Sequence, residues 1–344
     1  MTAFQVFKLY FTGSLHLSDV RQDYGNSEKI AHSDMLTAAL IAAMARIGDT
    51  VPAAGKLPFA LSSLFPFREE QGGFTQYFFP KPALRFNTPP ADKLAKKLKK
   101  LAWLDQGYLE DMIHFRQIER FGEGNAHLQG EFLSRTTIEA PIYTAQTIPR
   151  VQVPRMSMNE QNEVNTTEIF YMQMLRFREG AGLYFIAQGD TTALNWLCRA
   201  LDILGEEGIG TDRNVGNGQF YYRSDTLELN LPAPGSYMTN LSLFCPESPE
   251  QLRQLIPADD SFRGSYDLVK RGGWITSDGA LGIRKKPVYM LREGSVLVHP
   301  DAAETIPQMG LANVDLTPDT LPPGRLLSHP IYRSGRALFI PVNL

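Results

Sequence analysis

The sequence predicts an α+β fold made of two tandem ferredoxin-like domains with insertions. Residues 1–147 show the order strand, helix, strand, strand, helix, strand, which is the order of a ferredoxin-like unit. After a polar segment punctuated by prolines at 148–165, residues 166–344 repeat this order. A chain of 344 residues is also too long for one typical core and suits two domains.

The first half begins with an aromatic strand at residues 4–11. Ser33 is a suitable N-cap for a helix at 34–44, which is apolar on most faces and is therefore expected to be buried. Two more strands and a helix with a lysine-rich face are predicted next, at 57–65, 74–79 and 92–104. That lysine face is either a solvated helix surface or a guide for RNA.

The second half opens with a predicted hairpin that pairs residues 168–178 with 183–188 around Gly180. A helix with one apolar face follows at 191–204. Beyond it we expect a short helix from Ser248-Pro249 and five strands, at 219–229, 237–245, 266–276, 288–298 and 329–342.

Composition and charge narrow the classes of function that this protein can have. The chain is 43% hydrophobic and 21% charged, like an ordinary globular protein, and no apolar run reaches the length of a membrane span. We therefore expect a cytoplasmic protein without a membrane partner, and the two cysteines have no zinc or disulfide spacing, so no metal or cofactor is expected. The net charge is −3, with 17 basic against 15 acidic residues in 1–150 and 17 against 22 in 151–344. Any nucleic-acid site must then be a local groove, and the acidic remainder suits protein neighbours.

The most informative segment is the loop at 208–220, which places four glycines and one arginine between a helix and an aromatic strand. Glycine tolerates positive φ and has no Cβ, so such a loop can bring backbone N–H groups against a phosphate. The order helix, loop, strand is the reverse of a nucleotide-binding loop or a dinucleotide fingerprint. Contact with an RNA strand is therefore favoured, and the alternative is a long connection without a ligand.

Further candidates lie near the first strand and the first helix. His16 follows a Gly-Ser turn, with Arg21 and Tyr24 downstream, and it either reads a base edge or phosphate or is an ordinary surface histidine. His32 is a candidate ribonuclease base, but general acid–base cleavage needs a second proton-transfer group, and the sequence shows none beside it. We expect Ser33 to cap the helix and His32 to lie near the RNA path.

The proline-punctuated bridge carries two arginines. Arg150 and Arg155 each follow a proline, which favours extended backbone, and Met156 and Met158 are flexible apolar side chains able to wedge against an unstacked base. The alternative for this bridge is a flexible linker between the two domains.

In combination, these motifs resemble the RAMP superfamily of type III-A CRISPR systems. The resemblance rests on Gly13-Ser-Leu-His16, His32-Ser33-Asp34, the bridge from Ile148 to Arg155, the glycine loop, and the closing motif from His329 to Pro341. It extends nearly from end to end of the chain. Of the subunits in that superfamily, the sequence is most similar to the fourth one of the Csm effector complex.

The resemblance implies two RRM-like domains that face each other and a groove that grips the 5′ handle of a CRISPR RNA. It also implies a thumb hairpin, here the bridge at 148–165, that wedges into the guide–target duplex. The partners would be a large polymerase-like subunit and a backbone RAMP subunit, and no catalysis is expected. The RNA-contacting set would then be His16, Arg21, Tyr24, His32, Ser33, Arg150, Arg155, Met156, Gly210, Asp212, Arg213, Asn214, Gly216 and Gly218. The alternatives are a RAMP endoribonuclease that processes repeat RNA and a pure protein-interaction scaffold.

Overall fold

A computed structural model describes most of the chain. The described residues are 1–18, 24–52, 56–70, 72–84, 100–116, 127–152, 168–259, 262–276, 279–300 and 308–344. Within these ranges, no helix is both long and apolar enough to cross a membrane.

The described elements are four α-helices, one short 3-10 helix and nineteen strands. The helices are α1 (Ser33–Arg46), α2 (Gln106–Ile113), α3 (Thr191–Glu207) and α4 (Pro249–Leu255), and the 3-10 helix is Arg213–Val215. The strands up to the glycine loop are β1 (Thr2–Phe11), β2 (Phe59–Leu61), β3 (Phe65–Glu69), β4 (Thr75–Pro80), β5 (Trp103–Asp105), β6 (His127–Gln129), β7 (Phe132–Ser134), β8 (Tyr143–Gln152), β9 (Glu168–Phe177) and β10 (Ala181–Gly189). The strands after it are β11 (Phe220–Leu229), β12 (Tyr237–Asn240), β13 (Leu268–Arg271), β14 (Val288–Leu291), β15 (Val296–Val298), β16 (Gln308–Met309), β17 (Val314–Asp315), β18 (Tyr332–Arg333) and β19 (Ala337–Val342).

The largest sheet combines strands from both halves of the sequence. Its order is β11-β1-β10-β3-β4-β5-β7-β6, with β2 also paired to β10. The N-terminal strand β1 lies antiparallel between β10 and β11, and all ten of its residues pair with β11. The mixed α+β class is confirmed. The division into two tandem ferredoxin-like domains at 148–165 stays a prediction. The pairing of β1 with β10 and β11 places strands from both sides of that division in one sheet.

Helices α1 and α3 cover one face of this sheet. Side chains alternate along a strand, so Phe7 and Leu9 of β1 pack against the two helices, whereas Val6 and Tyr10 belong to the core on the opposite face. Because α1 is apolar almost all round, it is buried as predicted. Helix α3 is capped by the Asp190 carboxylate, which accepts a hydrogen bond from the Ala193 amide at 2.8 Å.

The C-terminal part forms a second, smaller sheet of order β15-β12-β19-β16, accompanied by the hairpins β13-β14 and β17-β18. The predicted strand at 288–298 is two strands, β14 and β15, separated by the turn at Gly294, which has a φ of 84°. The predicted short helix is confirmed as α4, with the Ser248 hydroxyl accepting from the Gln251 amide at 3.2 Å.

Residues 92–99 of the predicted helix at 92–104 lie outside the described residues, so that helix stays a prediction except at its end, where residues 103–104 belong to the strand β5. Helix α2 begins after Asp105, whose side chain accepts a hydrogen bond from the Tyr108 amide. The predicted hairpin between 168–178 and 183–188 does not form. Strand β9 pairs with β8 over ten residues, whereas β10 is a nearly continuous apolar run that pairs with β1, β2 and β3 inside the large sheet.

Candidate nucleic-acid interface

The glycine-rich loop follows the end of α3 and folds back on the segment after β1. Within the loop, the Ile209 amide donates to the Gly218 carbonyl at 3.0 Å. The Thr211 amide donates to the His16 carbonyl at 3.0 Å, and the Gly218 amide donates to the Ser14 carbonyl at 2.8 Å. These backbone hydrogen bonds fix the loop against the segment that follows β1.

Two of the loop glycines are required by the protein's own packing. A Cβ at Gly218 (φ 76°) would lie 1.9 Å from the Ile209 carbonyl oxygen, and one at Gly210 (φ 92°) would lie 2.4 Å from the His16 carbonyl oxygen. The absence of a side chain at these two positions is therefore explained within the protein itself. Gly216 (φ 83°) differs, because the nearest heavy atom to its Cβ position is 3.6 Å away. RNA contact at the three glycines stays a prediction.

The outward tip of the loop is a short 3-10 helix. Asp212 enters it in the left-handed conformation, with a φ of 63°. Arg213 and Asn214 follow as exposed side chains, and Val215 is 63% exposed. The exposed guanidinium and amide are therefore the loop groups that a polar ligand reaches without any rearrangement.

An ion pair joins the loop to the hairpin β8-β9. The Arg150 guanidinium on β8 binds the Asp212 carboxylate, which also accepts from the Asn217 side-chain amide at 3.2 Å. Arg150 is paired across the hairpin with Phe170, whose ring lies 5.1 Å from that of Tyr24. One face of the hairpin base thus packs against the loop and the segment after β1. The predicted RNA-contacting residues Arg21, Arg155 and Met156 lie outside the described residues.

His16 lies beneath this junction. Its side chain is fully buried, and its Nδ1 atom lies 2.7 Å from the Gln173 carbonyl oxygen on β9. Its Nε2 atom is buried and has no hydrogen-bond partner among the described residues. The histidine contacts both β9 and the loop, and none of its surface is exposed to solvent. Direct reading of a base edge by His16 therefore stays a prediction without structural support. Tyr24 is half-buried, with its ring 6.1 Å from the His16 ring.

The opposite face of the hairpin is apolar and exposed. Val151 pairs with Ile169, and Tyr171 pairs with Pro149, so the four side chains share one side of the two strands. The exposed fractions are 54% for Val151, 66% for Ile169 and 61% for Tyr171. Sequence reasoning missed this apolar strip, although alternation within β9 is visible once its pairing with β8 is known.

The motif His32-Ser33-Asp34 lies in a second, buried place. Ser33 is the first residue of α1 and not its cap, because its hydroxyl accepts from the Leu243 amide at 3.0 Å. His32 is 3% exposed, and its Nδ1 atom lies 2.8 Å from the Glu293 carboxylate. Burial by itself would raise the pKa of Glu293, but the interactions with His32 and the hydrogen bond from the Ser63 hydroxyl together outweigh it and lower the pKa. Both residues join α1 to the C-terminal part, which corrects the predicted cap, because His32 and not Ser33 precedes the helix. The position of His32 beside an RNA path stays a prediction.

Asp34 is the centre of a buried ionic cluster. Arg271 donates to its two carboxylate oxygens at 3.0 and 3.2 Å, and Arg333 donates at 2.5 Å. Burial would raise the pKa of Asp34, but Arg333 and Arg271 outweigh it and hold the pKa well below its ordinary range. Burial, with the repulsion of Arg333, lowers the pKa of the nearby Lys285 to about 8. Among the described residues, no group of three or more His, Cys, Asp or Glu is arranged to hold a metal ion.

Comparison with known proteins finds one family model and several relatives that match the sequence of this chain. A model of the CRISPR Csm4 C-terminal domain family matches residues 233–342, which include the smaller sheet. A Csm4 protein of Thermococcus onnurineus is 25% identical over 265 residues, covering 74% of this chain and 75% of the relative. A Csm4 protein of Mycobacterium tuberculosis is 25% identical over 271 residues, covering 77% and 74%.

Solved structures share the fold over the whole chain. A chain of a Csm3-Csm4 subcomplex of the type III-A interference complex superposes with a TM-score of 0.60 at 13% identity, covering 100% of both chains. A chain of a Csm1-Csm4 cassette in complex with AMPPNP gives a TM-score of 0.57 at 18% identity, covering 100% of this chain and 99% of the other. Together, the sequence matches and the shared fold support a Csm4-like, RAMP-like protein.

Proposed function

We propose that the protein is an RNA-binding subunit of a type III CRISPR effector and that it holds the 5′ handle of the CRISPR RNA. The observation that carries this proposal is the junction of the glycine loop with the base of the hairpin β8-β9, made by Arg150 and Asp212. The junction holds the loop tip in place, so its exposed groups are pre-organised for a ligand.

The RNA-contacting groups would be those at the tip of the loop. Arg213 is exposed and suits a phosphate or the face of a base, whereas Asn214 suits a phosphate oxygen or a ribose 2′-hydroxyl. The Cβ position of Gly216 is near only the Gln219 side-chain oxygen, at 3.6 Å, so a strand that displaces this flexible side chain can approach the backbone there. Because the chain carries a net charge of −3, we expect strong binding only in the assembled complex.

The hairpin β8-β9 would act as the thumb. Its inner face packs against the loop, and its outer face presents Val151, Ile169 and Tyr171. Exposed apolar and aromatic groups of this kind wedge against unstacked bases or bind a partner subunit. Structures of Csm3-Csm4 and Csm1-Csm4 complexes with the same fold support a backbone subunit and a large polymerase-like subunit as the two protein partners.

We further propose that the subunit is not catalytic. The best candidate base for RNA cleavage, His32, is 3% exposed and engaged by Glu293, so it cannot reach a phosphodiester without rearrangement. Incubation of the purified protein with repeat RNA tests this proposal. Cleavage that is lost in His32→Ala would establish the endoribonuclease alternative instead.

The handle-binding proposal is tested in the reconstituted effector complex. Arg213→Ala should weaken protection of the handle from nuclease by roughly tenfold, the expected loss of one charge-assisted hydrogen bond. Arg253→Ala is the matched control, because Arg253 is an equally charged and exposed arginine on α4, with its side chain 75% exposed. Equal protection in the two variants would refute the assignment of Arg213.

Crosslinking separates the scaffold alternative from RNA binding. In the assembled complex, RNA should crosslink to peptides that span 208–223 and 148–160. If those peptides crosslink only to a protein subunit, the loop serves protein contacts and the handle proposal fails.

A further inference from the structure

The face of the large sheet that lies opposite α1 and α3 has an exposed end at β11, the edge strand of the sheet. Along β11, Phe220 and Tyr222 pack on the side of α3, so the alternating Tyr221 and Arg223 point to the opposite side. Both side chains are exposed, and β11 begins directly after the glycine loop. The strand that leaves the loop therefore presents an aromatic and a cationic group to solvent.

Tyr221 forms a stack of two rings with Tyr10, its partner on β1. The ring centres are 4.9 Å apart, and the ring planes differ by 4°. Tyr10 is 5% exposed and Tyr221 is 51% exposed, so the buried ring supports one face of the exposed ring. The Arg223 guanidinium lies 5.3 Å from the centre of the Tyr10 ring and 5.8 Å from that of Tyr221, which places it beside the stack and not across the outer face of Tyr221. An open aromatic face on a β-sheet suits stacking with the base of a single-stranded RNA.

Arg223 keeps its hydrogen-bond donors for another molecule. Its guanidinium makes no hydrogen bond or ion pair with any residue in the described ranges. The carboxylates of Glu69 and Asp225 are instead bound by the Lys8 ammonium, which lies 3.1 Å from an oxygen of each. Two cations and two anions thus cancel, so the patch has no surplus charge to attract phosphates and suits a neutral base better.

Beyond Glu69 the surface becomes acidic. A polar cavity there is lined by four carboxylates and two guanidiniums, those of Glu69, Glu70, Glu139, Glu179, Arg68 and Arg178. This surplus of negative charge disfavours an anionic strand. An RNA that reaches Tyr221 is therefore expected to come from the side of the glycine loop.

We propose that Tyr221 and Arg223 form a base-stacking site for a single-stranded segment of the CRISPR RNA. One base lies on the open face of the Tyr221 ring, and the Arg223 guanidinium donates hydrogen bonds to the edge of that base. The ring accepts any base, since every base has a π-face. This inference rests on the proposed handle-binding function and extends it from the tip of the loop to the strand that follows.

The test is fluorescence anisotropy of the full-length protein at low ionic strength with two labelled strands. One is the 5′-handle RNA, and the other has the same length and charge but carries abasic sites in place of the bases. Tyr221→Ala should weaken binding of the handle RNA about tenfold, the loss of one stacked base, and should leave binding of the abasic strand unchanged. Tyr221→Phe keeps the ring and should stay within about twofold of the unmodified protein.

Tyr289→Ala is the matched control. Tyr289 is 61% exposed on β14, and the Lys270 ammonium across the hairpin lies 5.8 Å from the centre of its ring, but it belongs to a different sheet. This variant should bind both strands like the unmodified protein. The proposal is overturned if Tyr221→Ala binds the handle RNA as tightly as Tyr289→Ala does, if its loss is equal on the abasic strand, or if the unmodified protein binds the two strands equally.

Arg213→Ala separates failure of this proposal from failure of the handle proposal. If Arg213→Ala weakens binding of the handle RNA and Tyr221→Ala does not, the loop holds the strand and the stacking site is refuted. If only Tyr221→Ala weakens it, the stacking site stands and the assignment of Arg213 fails. If Tyr221→Ala reduces only the capture of a partner subunit in the reconstituted complex, the aromatic patch is a protein surface and the stacking site is refuted as well.

Discussion

Replacing Asp34 with asparagine tests whether the buried ionic cluster holds α1 to the C-terminal part. The substitution keeps the shape of the side chain but removes its charge, and it leaves Arg271 and Arg333 facing each other with side chains only 7% and 14% exposed. Removing one partner of a buried ion pair costs about 3–5 kcal/mol, because the remaining charge stays desolvated. Asparagine still accepts one hydrogen bond, so we expect the lower end of that range.

The assay is thermal and urea unfolding followed by near-ultraviolet circular dichroism. A loss of about 3 kcal/mol should lower the Tm by about 4 °C in a chain of 344 residues, since the entropy of unfolding is about 2.1 cal/mol/K per residue. Asp319→Asn is the matched control, since the Asp319 side chain is 80% exposed and its pair with Lys286 should contribute no more than about 1 kcal/mol.

The reasoning would be refuted by equal Tm values for Asp34→Asn and Asp319→Asn. A second variant separates charge from lost shape. Adding Arg333→Gln to Asp34→Asn should restore part of the lost stability, because it removes one of the two uncompensated cations. If the double variant is instead less stable by the sum of both single effects, repulsion between the guanidiniums is not the cause.

Three other predictions follow from the loop, the hairpin and the lysine. Gly218→Ala should lower the free energy of unfolding by roughly 2 kcal/mol more than Gly282→Ala does. Both glycines have a similar positive φ, but only a Cβ at position 218 overlaps a carbonyl oxygen. Equal urea midpoints for the two variants would contradict this. Arg150→Ala should speed amide hydrogen exchange in the loop 208–218 about tenfold while α1 is unchanged, by releasing Asp212, and an unchanged loop would argue against the junction. Lys285→Met should stabilise the fold by roughly 1–3 kcal/mol at pH 7. The folded pKa of about 8 lies below the ordinary 10.5, so the cost of the lysine is fully present below pH 8 and is relieved towards pH 10.5. A pH-independent difference in chemical denaturation would contradict that assignment.

Structural features that depend on neighbouring residues could be predicted from the sequence. The all-round apolar pattern of residues 34–44 correctly predicted a buried helix, and Ser248-Pro249 correctly predicted the start of α4. The glycine loop was found at its correct place after α3, and the combined motifs led to the RAMP superfamily. These features depend on periodicity, capping and glycine content, which act over a few neighbouring residues.

Pairing partners far apart in the chain were decided only by the tertiary structure. Alternation showed that 168–178 is a strand but not that it pairs with β8, because the side-chain period is the same for every partner. The glycines at 210 and 218 pointed to a close approach, yet what approaches them is the protein's own backbone. Asp34 and Arg333 are separated by 299 positions, and a buried ion pair over that distance has no local signal. The sequence by itself therefore determined most of the local elements and the likeness to Csm4 proteins. The joining of the glycine loop to the hairpin β8-β9, and of α1 to the C-terminal part, arises from contacts that exist only once the chain is packed.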